Sequence, residues 1–267
     1  MNIERLRKIV QYSNQYGKAV EWKVRDFYAR IGMNSGREVL NAMQIVSSYL
    51  QQQGFLVIEL PYKDEELGAL TYKGDGMNYI LLNSSLPRVN LNFAICHEVY
   101  HILYQESGFR SKLELAGDHY YDREHEYSAN LFAGMFLMPE ENFTLMFTKF
   151  IRESKGDQLD TIVRLMSYYQ VPFMSALVRC CELDLPELDI ITEDFLQTGE
   201  DLIRSRFSRL WLDDSILDAS GKDDYPRVEA LVNQVGEKYV SEGYFNERTM
   251  KKVLQNMRGL YLAIKGE

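Results

Sequence analysis

The chain has 267 residues, a net charge of -9 and an isoelectric point near 5.1. Its length suits one large domain or two small ones, and its acidic balance removes any bulk electrostatic case for nucleic-acid binding. Apolar residues make up 46% and charged residues 26%, as in soluble globular proteins, and no apolar run approaches the roughly 18 residues of a membrane helix.

The first 54 residues read as helical. Their opening, "MNIERLRKIVQYSNQYGK", lacks the apolar core of a secretion signal. Val39, Met43, Val46 and Leu50 recur at helical spacing, and Gly54 stops the pattern. Three strand-like runs follow, "FLVIEL", "GALTYK" and "NYILLN", with the turn signal "GDG" between the last two. This pattern predicts a small antiparallel sheet. A helix then starts, with Ser84 or Ser85 as its cap and Pro87 in its first turn. Its apolar residues form two stripes, Val89, Phe93, Cys96, Tyr100 and Leu103 on one side and Leu91, Ile95 and Ile102 on another, so it should be buried. Residues 105–122 read as an 18-residue loop, a length that often carries function. Asp122 is placed to cap the next helix, "REHEYSANLFAGMFLM", which Pro139 ends.

From there the pattern is helical to the end, apart from residues 182–201, which hold eight acidic residues and no basic ones. That stretch reads as a solvated linker. Residues 151–185 carry four basic and five acidic side chains, so their helices make poor DNA readers. The C-terminal stripes Val232, Val235 and Tyr239, and Leu254, Met257 and Tyr261, read as core. The cysteines, Cys96, Cys180 and Cys181, give no disulfide framework and read as reduced thiols of a cytoplasm.

One segment carries chemistry. His97-Glu98-Val99-Tyr100-His101 fits the pattern H-E-x-x-H. At 3.6 residues per turn the two histidines share one helix face, where both imidazoles can reach one zinc ion. Glu98 sits about 100° round, beside that face, able to reach a water on the metal without being a ligand. Two imidazoles and a carboxylate left unpaired in an apolar helix would cost several kcal/mol, on the order of the usual burial penalties. A metal offsets that cost.

Catalytic zinc usually takes a third protein ligand. The next helix offers Glu124, His125, Glu126 and Asn130. Glu126 and Asn130 are four apart on one face, and Ala129 and Ala133 leave room for two helices to approach. Glu126 is chosen as third ligand, with Asn130 holding a ligand imidazole. Glu124 reads instead as a first-turn acid favoured by the helix dipole. His125 is the rival ligand, giving three histidines in place of two and a glutamate, and His119 is a weaker one.

"FAICHEVYH" followed by "EYSANLFAGMFLMP" resembles the ImmA/IrrE family of zinc-dependent metallopeptidases, whose pattern is F-T-L-A-H-E-L-G-H and then E-x-E-A-N-x-F-A-x-x-L-L-M-P. "YILLNSSLP" and "YYQVPFMSALVRCCEL" are also similar to segments that flank that core, and the resemblance spans residues 37–182. Tyr100 stands where the family has glycine, and Ser128 where it has a second glutamate. The resemblance implies an α+β, zincin-like metallopeptidase core with an H-E-x-x-H active-site helix. That core would occupy residues 1–150, followed by a small helical segment at 151–185 and an acidic linker with an all-helical extension at 186–267. It also implies zinc held by His97, His101 and Glu126, with Glu98 as catalytic base. The chain would be a cytoplasmic bacterial or mobile-element endopeptidase that cleaves a helix-turn-helix repressor, with no direct nucleic-acid or membrane partner.

In that chemistry Glu98 moves the proton of the attacking water to the leaving amine. The substrate strand is expected to pair with the sheet at "YILLN". Tyr100, His119, Tyr120, Tyr121 and Tyr127 are candidates for the oxyanion donor. The alternative function is a zinc-dependent regulator that displaces a repressor without cutting it.

Overall fold

The computed structural model describes residues 1–64, 67–74, 76–105, 123–185 and 193–266, with the backbone alone at 123–125 and 194. Among these residues helices dominate, and a single three-stranded sheet lies between them, which is an α+β arrangement. The predicted Asp122 cap, most of the 105–122 loop and residues 186–192 of the acidic stretch fall outside the described residues.

Helix α1 (Ile3–Arg30) begins where the Asn2 side chain accepts from the Arg5 N–H at 2.8 Å, satisfying one of the free amides of the first turn. It packs on α4 (Arg123–Leu137) and α7 (Phe173–Glu182) and buries Val20, Val24 and Phe27. Helix α2 (Ala42–Gln52) ends at Gly54, whose φ of +82° turns the chain into the sheet.

Strands β1 (Phe55–Leu60), β2 (Ala69–Gly74) and β3 (Met77–Asn83) lie in the order β1-β3-β2. The β2–β3 pair is antiparallel, as its turn signal predicts, but β1 runs parallel to β3. The sheet is therefore mixed. Alternation along a strand shows which residues share a face and is blind to the direction of the partner. The link from β1 crosses the end of the sheet to the far edge, so β3 returns through the middle. One side chain secures this crossing. The buried Asn83 amide accepts from the Tyr62 and Ser85 N–H groups and donates to the Asp64 and Leu67 carbonyls.

One face of the sheet presents Phe55, Val57, Ile80 and Leu82 to the main core, which extends from Leu6 to Leu217. The other face joins Ile58, Leu60 and Leu81 to Tyr62, Tyr225, Met257 and Tyr261, so the C-terminal helices cover part of it. Helix α3 (Arg88–Tyr104) lies against β2, β3, α2 and α4. Its cap differs from expectation. Neither Ser84 nor Ser85 caps it; Pro87 is the flanking residue, with ψ of 145°. The Arg88 N–H donates instead to the Asp218 carbonyl at 3.1 Å, and Pro87 bridges Ala219. A distant segment thus satisfies an amide that a local serine would usually satisfy.

Beyond α4, Pro139 opens α5 (Glu140–Glu153), followed by α6 (Gln158–Tyr169), which Asp157 caps, and then by α7. Helices α8 (Glu193–Leu196) and α9 (Glu200–Arg209) lead to a short 3-10 turn at Asp214–Leu217. Two long helices, α10 (Tyr225–Ser241) and α11 (Glu247–Lys265), end the chain. Their stripes are core only in part: Met257 and Tyr261 are half-buried against the cluster on the sheet's second face, Val232 and Leu254 are half-buried, and Val235 and Tyr239 are exposed. Among the described residues no helix is long and apolar enough to cross a membrane.

Candidate metal centre

Helices α3 and α4 meet closely because α4 turns Ala129 and Ala133, both fully buried, inward. Their facing sides bring together His97, His101 and Glu126. One ligand atom from each lies within 4.8 Å of the others. The two Nε2 atoms are 3.0 Å apart. Glu126 Oε2 is 3.3 Å from His97 Nε2, and its Oε1 is 3.4 Å from His101 Nε2.

The opposite edge of each imidazole has a partner. His97 Nδ1 meets Asn130 Oδ1 at 3.0 Å, and His101 Nδ1 meets Gln105 Oε1 at 2.8 Å. With amide oxygens as acceptors, each Nδ1 carries the proton and each Nε2 presents a lone pair. Two lone pairs and a carboxylate then converge on one another. Such a set is stabilised by a shared proton or a cation. Two imidazoles and one carboxylate also form a donor set of the kind catalytic zinc takes. The same electrostatics act on His97. Burial opposes its charge, but the Glu126 hydrogen bond and the charges of Glu98 and Glu126 outweigh this and raise its pKa.

Glu98 stands apart from the converging atoms. Its Oε2 accepts from Thr71 Oγ1 of β2 at 2.5 Å. Thr71 is paired across the sheet with Ile80, so it shares the core-facing side, against which α3 packs. A carboxylate beside the metal site is thus tethered to the strand below it.

Residues 50–180 match the family described as the IrrE N-terminal-like domain, peptidase family M78. This stretch belongs to the ImmA/IrrE family. No curated protein and no solved structure matches the chain. The ImmA/IrrE domain runs from Leu50 at the end of α2 to Cys180 in α7, and it contains His97, Glu98, His101, Glu126 and Asn130. It is a peptidase domain, and its two histidines and glutamate lie close enough to bind a metal.

The chain's two departures from the ImmA/IrrE pattern both point toward α1. Tyr100 is buried, with its ring 5.9 Å from that of Phe132, and its hydroxyl accepts from Lys23 Nζ at 2.9 Å. Ser128 Oγ pairs with Tyr12 Oη at 2.6 Å. Ser128 is two residues from Glu126, or about 200° round the helix, so residue 128 cannot share the metal-facing side. Tyr127 packs its ring 5.3 Å from Tyr12, also toward α1.

His119, Tyr120 and Tyr121 lie outside the described residues, as does the side chain of His125. The expected substrate pairing with "YILLN" needs correction. Those residues belong to β3, the central strand, whose two edges are already paired. The edge strand on the Glu98 side is β2. Two residues at the site were missed from the sequence. Gln105 was detectable, four residues after His101 on the same helical line. Thr71 gave no signal, because its link to Glu98 spans 27 residues and depends on how the sheet meets α3.

Proposed function

We propose that the chain is a zinc-dependent endopeptidase that cuts a helix-turn-helix transcriptional repressor in the cytoplasm and so releases its target genes. One observation carries the catalytic part: two imidazole Nε2 atoms and the Glu126 carboxylate converge, while a second carboxylate, Glu98, is held beside them without joining them. The repressor as substrate, and the cytoplasm, rest on the resemblance to ImmA/IrrE proteins.

His97, His101 and Glu126 would hold the zinc. When bound, the ion supplies a Lewis acid for the scissile carbonyl and lowers the pKa of a water to about 7. Asn130 and Gln105 fix the imidazoles in the tautomer that leaves Nε2 free. Glu98 accepts the proton of the attacking water and delivers it to the leaving nitrogen. The acyl carbon gains the oxygen, the C–N bond breaks and the amine leaves protonated. Thr71 keeps the Glu98 carboxylate turned to one side of α3. A substrate strand is expected to align along the β2 edge.

Glu98→Gln tests this reading. The amide keeps the shape of the side chain and removes the base. Zinc content should stay at the wild-type level while repressor cleavage falls by at least a hundredfold. Normal derepression by this variant in cells, with no repressor fragment formed, would instead make the chain a zinc-dependent regulator that displaces its partner.

A further inference from the structure

The α10–α11 hairpin lies beyond the ImmA/IrrE match, and its packing leaves much of one side exposed. Tyr225 stacks on Tyr261 with ring centroids 3.9 Å apart, and Gly236 sits against Met250. These two pairs run in opposite directions along the chain, so the helices are antiparallel. Gly236 makes the close approach, since a Cβ there would meet the Met250 sulfur at 2.2 Å. The seam between the helices therefore follows Tyr225, Val232 and Gly236 on α10 and Met250, Leu254 and Tyr261 on α11.

A second stripe on each helix lies one residue before the seam. On α10 it is Val228, Leu231, Val235 and Tyr239, and on α11 it is Val253, Met257, Leu260 and Ile264. One residue is 100° of rotation, and in an antiparallel pair the same step brings both stripes to the same side of the hairpin. All eight positions are apolar; the basic residues of α11, such as Lys251, Lys252 and Arg258, lie off the stripe. Val228 and Met257 are half-buried, Met257 against the sheet-side cluster of Leu60, Tyr62 and Tyr225. At the other six, exposure ranges from 38% at Ile264 to 69% at Leu260, with Leu231, Val235, Tyr239 and Val253 between.

These six residues together leave roughly 500 Å² open, within the range of the largest apolar patch on a monomer. That is about three fifths of the ~800 Å² each partner brings to a standard interface. Two antiparallel helices with one apolar side are half of a four-helix bundle. An uncharged, self-complementary patch suits a two-fold contact, in which the same surface serves both partners. We propose that the chain dimerises through this face, the α10–α11 hairpins of two copies closing a four-helix bundle. The proposal is independent of the metal centre and of the repressor.

The test is the mass of the full chain by light scattering and sedimentation from about 1 to 100 µM. Wild type should reach a dimer at twice 31.2 kDa. Leu260→Glu and Val235→Glu should each shift the dissociation constant upward by at least a hundredfold, with unchanged circular dichroism. If either glutamate variant fails to fold, the milder Leu231→Gln and Val253→Gln double variant should show the same shift. Trp211→Glu, at a site 95% exposed elsewhere on the surface, should leave the dimer intact. Wild type that stays at 31.2 kDa at 100 µM overturns the proposal, whether or not the hairpin captures another protein. Folded glutamate variants that remain dimeric overturn it equally.

Discussion

Asn130→Ala removes the acceptor that faces His97 Nδ1 at 3.0 Å and leaves all three ligand side chains in place. Asn130 is exposed, so the substitution opens no cavity. The loss acts on the metal through the imidazole, which is no longer held in the Nδ1–H tautomer or in its orientation. Outer partners of this kind are worth 10- to 100-fold in metal affinity. Water can reach the exposed site and replace part of the lost bond. The expected loss is therefore about tenfold, or roughly 1.4 kcal/mol. Asn130→Asp keeps an acceptor and should bind zinc at least as tightly as wild type. Competition against a chromophoric chelator gives the affinities, and circular dichroism checks the fold. Gln105→Ala should weaken binding similarly through His101, and the double variant should show the two losses added, because they act on different rings. If both single variants bind zinc within twofold of wild type, the orienting role assigned to these amides is wrong.

Thr71→Val deletes the donor to Glu98 while keeping the β-branched shape; kcat should drop about tenfold with zinc affinity unchanged, and Thr71→Ser should restore it, as steady-state cleavage would show. Asn83→Ala removes four hydrogen bonds, three of them to the link between β1 and β2, and should cost about 2–4 kcal/mol in urea unfolding of the metal-free chain; a midpoint unchanged from wild type would contradict that reading. Protons compete with zinc at His97, whose pKa is raised because the charges of Glu126 and Glu98 outweigh burial. Zinc affinity should therefore start to fall above pH 6.5 as the solution is acidified, and titrations from pH 8 to 5 would reveal a loss confined to lower pH if this is mistaken.

The clustering of the candidate metal ligands is legible in the sequence because its determinants are local. His97 and His101 lie one turn apart on α3, and Glu126 and Asn130 one turn apart on α4, so two helical periods placed all four. Long-range features were hidden. The parallel direction of β1 depends on where the 61–68 link crosses, which strand alternation does not encode. The amide of Arg88 finds its acceptor at Asp218, 130 positions away, so a search for nearby capping residues could only propose Ser84 or Ser85. The stripes on α10 and α11 are legible in the sequence, but only Met257 and Tyr261 reach a core cluster, while Val235 and Tyr239 stay exposed. Periodicity marks an apolar side without saying whether this chain covers it, and Gly236 brings only one side of each helix into the seam.

The most direct test of the account is the metal content of the chain purified without chelator, with His97→Ala and Glu126→Ala beside it. The account predicts one zinc per wild-type chain and loss of it in both variants. Wild type that comes out metal-free and takes up no zinc at micromolar concentrations would contradict it.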